Sequence, residues 1–181
     1  NGEEAVAAFT LGNLYLEMGK YEEADKYYIN AAKALEAVKL LPSWICAAKT
    51  YSARAGIYIK GVVDTNCHDL FECFEKNKLK FCEGIMAKNI GDILLQSSDG
   101  QMADSEAWIK KAIYADTKYG TKWHLATDHA LYAEWFKKKG DLSGAREQLT
   151  RAIEIFRECG ADGWVEKYKA ELLLKGPDKV R

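Results

Sequence analysis

What most constrains this chain is an internal echo. Leu11-Gly12, Tyr15, Gly19, Tyr21, Ala24, Tyr28 and Ala31 return, class for class and at the same offsets, as Tyr132-Ala133, Phe136, Gly140, Leu142, Ala145, Leu149 and Ala152. Recurrence of this kind is the mark of a repeat architecture, in which each unit buries its apolar face against the next. Small residues at Gly12, Ala24 and Ala31 let two helices approach closely, and the aromatic and aliphatic residues fill the space between them. A third copy, Ile90-Gly91, Leu94, Ile109 and Ala112, keeps the order around a turn near Gly100 that is about two residues longer. The copy from Trp44 to Lys76 has small residues at Ala47, Ala48, Ser52 and Ala55 but an irregular turn without the expected glycine.

Apolar residues recur at helical spacing nearly throughout, and no segment alternates with period two. The pattern predicts helices over 3–18, 21–40, 44–60, 66–76, 79–96, 102–118, 121–139, 141–160 and 162–175. Their ends carry recognisable signals. Gly19, Gly140 and Gly160 stop helices, and Ser97-Ser98-Asp99-Gly100 is a turn. Leu41-Pro42-Ser43 is a break, with Ser43 expected to cap the helix that follows, and Asn66, Thr121 and Asp162 are expected to cap theirs. Trp164, Val165, Tyr168 and Leu172 fall on one stripe of the last helix, with Glu166, Lys167, Lys169 and Glu171 outside it, as suits a helix that closes the end of a stack.

The repeat series resembles the tetratricopeptide repeat, a helix-turn-helix of ~34 residues. Here the pitch is about 40, since Gly12, Ser52, Gly91 and Ala133 mark successive first helices. The excess is expected to lengthen the second helix of each pair. The resemblance implies an all-α fold: a right-handed α-solenoid of about four tetratricopeptide-like hairpins (3–40, 43–76, 79–119, 122–159) and a C-terminal capping helix (162–175), a single domain over 1–181. A narrower likeness follows. Glu106-Ala107-Trp108-Ile109-Lys110-Lys111-Ala112-Ile113, Trp123-His124-Leu125 and Cys159-Gly160-Ala161-Asp162-Gly163-Trp164 resemble the C-terminal tetratricopeptide regions of large bacterial signalling proteins, where a cyclase, kinase-like or ATPase domain precedes the helices. The chain opens on Asn1 and enters an amphipathic pattern at once, so it reads as a piece of a longer cytoplasmic protein.

Twenty-six basic residues against 27 acidic ones leave a net charge of −1, which provides no electrostatic footprint for nucleic acid. Lys137-Lys138-Lys139 reads as the polar end of a helix. No apolar run approaches the ~18 residues of a membrane span, and no signal peptide is visible. Five cysteines at irregular spacing suit small buried thiols better than a disulfide framework. No phosphate loop, nucleophile elbow or paired-histidine zinc helix occurs. Cys67-His68, Cys73 and Cys82 come nearest to a metal cluster, but Cys67 and Cys73 would diverge by about two-thirds of a turn on one helix. His124 and Asp128 could meet on one face, yet no nucleophile stands near them, and His129 falls in the packing pattern. The expectation is therefore no catalytic site, no metal and no cofactor.

What remains is the surface of the first helices. The residues three before each small marker are Phe9, Lys49, Lys88 and Ala130, and those just after are Asn13, Ala53, Asp92 and Glu134. These eight are the candidate lining of a concave partner-binding groove, basic at its centre and acidic at its C-terminal end. Asn13, Lys49 and Lys88 partly resemble the set that clamps a peptide C-terminal carboxylate in tetratricopeptide domains, although Phe9 stands where that clamp has lysine. Two functions suit this reading. One is a non-catalytic scaffold for a peptide, a partner domain or another part of its own parent. The other is a ligand-sensing domain that controls an attached output domain, with 61–68 as its irregular element.

Overall fold

The computed structural model describes residues 2–38, 42–60, 67–97 and 102–174. Those residues form nine helices: α1 (Gly2–Glu17), α2 (Tyr21–Ala37), α3 (Pro42–Lys60), α4 (Cys67–Glu75), α5 (Lys80–Gln96), α6 (Met102–Tyr119), α7 (Lys122–Lys139), α8 (Leu142–Glu158) and α9 (Asp162–Leu174). They are the helices read from the sequence, with ends that move by a few residues. The fold is all-α and built of helical hairpins. Two compact units divide it, Asn1–Ala112 and Ile113–Arg181, and their boundary falls inside α6. Nothing in the sequence marks that point, because α6 is an uninterrupted helix.

One device ends four of the helices. At Gly19, Gly120, Gly140 and Gly160 the backbone turns left-handed. The glycine N–H then bonds the carbonyl three residues back, and the next N–H reaches five residues back, as from Lys20 to Tyr15 and from Asp141 to Phe136. This closure satisfies the last carbonyls of the helix and needs a residue that tolerates positive φ. Asp141 then caps α8, its carboxylate accepting from the Gly144 N–H at 2.9 Å.

Three cap expectations come out differently. Thr121 makes no capping bond to α7; its hydroxyl instead donates back to the Asp116 carboxylate and carbonyl. Ser43 lies inside α3, which begins one residue earlier at Pro42, where a missing N–H costs nothing. Its hydroxyl accepts from the Lys78 N–H at 3.1 Å and ties the start of α3 to the α4–α5 link. Asp162 is already helical at the start of α9. Asn66 lies outside the described residues.

In the first unit α1 pairs with α2, α2 with α3, and α3 with α5, while the short α4 lies against α3 and α5. The closest approach comes at the repeat's small marker. A Cβ on Gly12 would sit 2.7 Å from the Tyr28 ring, and one on Gly91 would sit 2.9 Å from Ile109. Tyr28, Phe9 and Tyr51 form the centre of the core, with Tyr28 stacked on Tyr51 at 4.8 Å and Phe9 edge-on to both. Leu70 of α4 joins a second cluster with Ile57, Ile90, Ile93 and Leu94. The residues beyond the shorter repeat are shared by both helices of a pair rather than added to the second. α1 and α2 have 16 and 17 residues, and α7 and α8 have 18 and 17. In the second hairpin the second helix is the short one, with nine.

In the second unit α8 packs between α7 and α9. The stripe expected on α9 docks there: Val165 is buried, and Trp164 and Tyr168 stack on Phe156. Glu171 differs from the expectation, because it is partly buried and bridges to the Lys137 ammonium. Lys137 also holds Glu134 and so is more than a solvated helix end.

His129 is buried, as its place in the pattern suggests, with Nδ1 2.8 Å from Gln148 Oε1. Burial lowers its pKa below that of a free imidazole. The unfolded chain therefore binds the proton more readily, so this contribution to stability is complete above about pH 6.5 and fades as the pH falls toward the folded value. Thermal unfolding followed from pH 7.5 to 5 should show the midpoint falling with acidification. His129→Gln should flatten that dependence, and an unchanged slope would contradict the assignment.

Candidate functional site

A cleft of about 590 Å³ lies between α2, α3 and α4 in the first unit. Ala53, Ile57 and Leu70 give it an apolar part, and Glu22, Asp25, Asp69, Lys26, Lys49 and Lys60 line it with both signs of charge. The charges nearly cancel, so neither a polyanion nor a polycation is favoured by sign alone. Several of these side chains are already held in place. The Ser52 hydroxyl donates to Asp25, and Lys49 lies 3.0 Å from Glu36 on the neighbouring helix. The Glu36 hydrogen bond raises the Lys49 pKa, so the ammonium is fully charged at neutral pH.

The eight residues expected to line a groove do not share one surface. Lys49 and Ala53 meet in the cleft. Phe9, Lys88, Asp92 and Ala130 are interior. Asn13 is half-buried and accepts the Tyr28 hydroxyl at 2.8 Å, supplying the partner that a buried phenol needs. Glu134 is exposed on the second unit and pairs with Lys137. The cause is angular. A residue three before the marker lies only ~60° around the helix from it, and the marker faces its partner helix. Phe9 therefore faces the core with Gly12. In α5 nearly every side is covered, from Cys82 to Leu95, so Lys88 and Asp92 have no outward face. Ser52 is the exception, since in the irregular hairpin it faces the cleft and brings Lys49 and Ala53 with it. The carboxylate-clamp set is accordingly not assembled.

Asp92 has a different task. Its carboxylate receives Arg54 Nε at 2.6 Å, the Tyr58 hydroxyl at 3.0 and 3.1 Å and Gln96 Nε2 at 3.1 Å. Desolvation disfavours the Arg54 charge, but the adjoining carboxylate outweighs it and the guanidinium stays protonated. This is an internal ion pair joining α3 to α5.

The α4 contribution to the cleft, Asp69, Leu70 and Cys73, was not anticipated as lining. The available signal was the apolar stripe of Leu70, Phe71 and Phe74, which shows that α4 docks but not what it faces. Among the described residues no three His, Cys, Asp or Glu side chains converge as for a metal ion, and the Cys67 side chain lies outside them. No described helix is long and apolar enough to cross a membrane.

The paired helices, the left-handed glycine stop and the small marker packed against a large side chain define a helical-hairpin repeat fold. Residues 5–34, covering most of α1 and α2, match the tetratricopeptide repeat family. Comparison with curated proteins gives no match. Tetratricopeptide repeats in general mediate protein–protein interaction.

Proposed function

We propose that this chain is a non-catalytic interaction module that binds a peptide or a partner domain in the α2–α3–α4 cleft, as a regulatory part of a larger bacterial signalling protein. The cleft carries the reading. It has an apolar part for an anchoring side chain and a lining with both signs of charge, which suits a short amphipathic segment. The partner includes, as one option, another domain of the parent protein. The resemblance of 106–113, 123–125 and 159–164 to the helical regions of cyclase-, kinase- or ATPase-linked proteins supports the signalling part of the proposal.

Cross-linking and affinity capture with the full-length parent tests it. Lys26→Glu with Lys49→Glu should weaken capture of the principal partner at least tenfold. Both sites are exposed, so stability should change by no more than about 1 kcal/mol. Undiminished capture by the double variant would overturn the cleft as the site.

The size of the cleft also favours a second reading, a ligand-sensing domain, since ligand sites commonly span ~300–1,000 Å³. In a thermal-shift screen, a metabolite held at 100 times its Kd should add about 2.7 kcal/mol. Such a hit in a chain that captures no protein would select the sensor.

A further inference from the structure

Cys46 of α3 and Cys73 of α4 are free thiols hydrogen-bonded to each other across the helix interface. Their surroundings differ. Cys73 opens onto the cleft, whereas Cys46 packs against the core beside Trp44. Lys49 stands one turn along α3, and Lys76 follows directly on the last residue of α4; each pairs with a glutamate, Glu36 at 3.0 Å and Glu72 at 2.5 Å. The donor thiol of Cys46, with Lys49 and Lys76 adding to its effect, holds the Cys73 thiol down to about 7. A thiolate of that kind, reachable from solvent and backed by a second thiol, is what peroxide-sensitive cysteines require.

We infer that Cys46 and Cys73 form a reversible redox site for hydrogen peroxide, with Cys73 the attacking thiol and Cys46 the resolving one. The Cys73 sulfur attacks one peroxide oxygen and the O–O bond breaks. Cys73 is oxidised to the sulfenic acid, and the departing hydroxide takes up a proton as water. The Cys46 sulfur then attacks the sulfenic sulfur, the S–O bond breaks, and the hydroxide leaves as a second water with the Cys46 proton. Two thiols and one peroxide thus give one disulfide and two waters, and a small dithiol reverses the step by exchange. The sulfurs must close from hydrogen-bonding range to ~2.05 Å. The bond would pin α4, and with it one wall of the cleft, to α3. The site stands whether or not a partner binds in the cleft.

Wild-type chain, reduced and then treated with a small excess of hydrogen peroxide, is mapped by peptide mass spectrometry. The Cys46–Cys73 disulfide should be the major product and should disappear with dithiothreitol. Its rate of formation should rise about tenfold from pH 6 to 8, following the Cys73 thiolate fraction. Cys46→Ser should instead leave a dimedone-reactive sulfenic acid on Cys73. Cys159 is exposed and serves as the internal control. If Cys159 oxidises as fast as Cys73, or if peroxide yields no Cys46–Cys73 peptide, the inference is overturned, and both readings come from unmutated protein.

Discussion

Replacing Asp92 with alanine should destabilise the first unit by up to about 3 kcal/mol, because it strands a largely desolvated guanidinium. Arg54 loses its 2.6 Å partner, and Tyr58 and Gln96 lose theirs in the same step. Domains of this size hold only ~5–15 kcal/mol in total, so the variant should unfold at a markedly lower urea concentration. The double change Arg54→Met with Asp92→Leu removes both charges and keeps the volume. It should recover most of the loss, since a buried ion pair seldom exceeds a well-packed apolar pair in net stability. A surface groove residue would behave otherwise, with a change within about 0.5 kcal/mol. Urea unfolding of the two variants therefore decides between the two roles, and a silent Asp92→Ala would exclude the interior one.

Gly12 makes the second large effect, and here two terms of opposite sign compete. Gly to Ala within a helix ordinarily gains up to ~1 kcal/mol. At Gly12 the new methyl would lie 2.7 Å from Cε1 and 2.9 Å from Cδ1 of Tyr28. That ring has little room to retreat. It is stacked on Tyr51 at 4.8 Å, met edge-on by Phe9 at 5.7 Å and held at its hydroxyl by Asn13 at 2.8 Å. Overpacking of this kind costs ~1–3 kcal/mol. Gly12→Ala should be net destabilising by about 1–2 kcal/mol, and Gly12→Leu should cost at least about 3 kcal/mol. Gly56 on α3 is the control, because a Cβ there meets nothing within 4 Å. Gly56→Ala should be neutral or stabilising by up to ~1 kcal/mol. Thermal melts of the three variants test both signs together, and a stabilising Gly12→Ala would show that the close approach is not what the repeat's small position serves.

These two residues also show where sequence reading succeeds and where it stops. Gly12 was legible because a repeat states its packing twice. The same small marker and the same large residue recur at the far end as Ala133 and Leu149, and Gly91 against Ile109 says it a third time. The helix ends were legible for a local reason, since a glycine that must turn left-handed is visible in the chain itself. Asp92 was not legible. Its partner Arg54 lies on another helix, and no local spacing announces that α5 is covered on nearly every side. The cleft was lost for the same reason. It depends on where α4 lies, and the second hairpin has neither the regular turn nor the full-length second helix that would have fixed its register. Cys46 and Cys73 are likewise brought together by tertiary packing alone. Lys49 and Ala53 lie in the cleft because the irregular hairpin turns its marker, Ser52, toward it.

A photo-crosslinking amino acid placed at Ile59 tests the interaction module most directly, since Ile59 is exposed and lines the cleft. In the full-length parent, in cells, it should join covalently to one protein segment, while the same probe at exposed Glu154 on α8 should not. The adduct should vanish in the Lys26→Glu, Lys49→Glu background. Equal labelling from both positions, or an adduct that survives the two charge reversals, would contradict a cleft that binds.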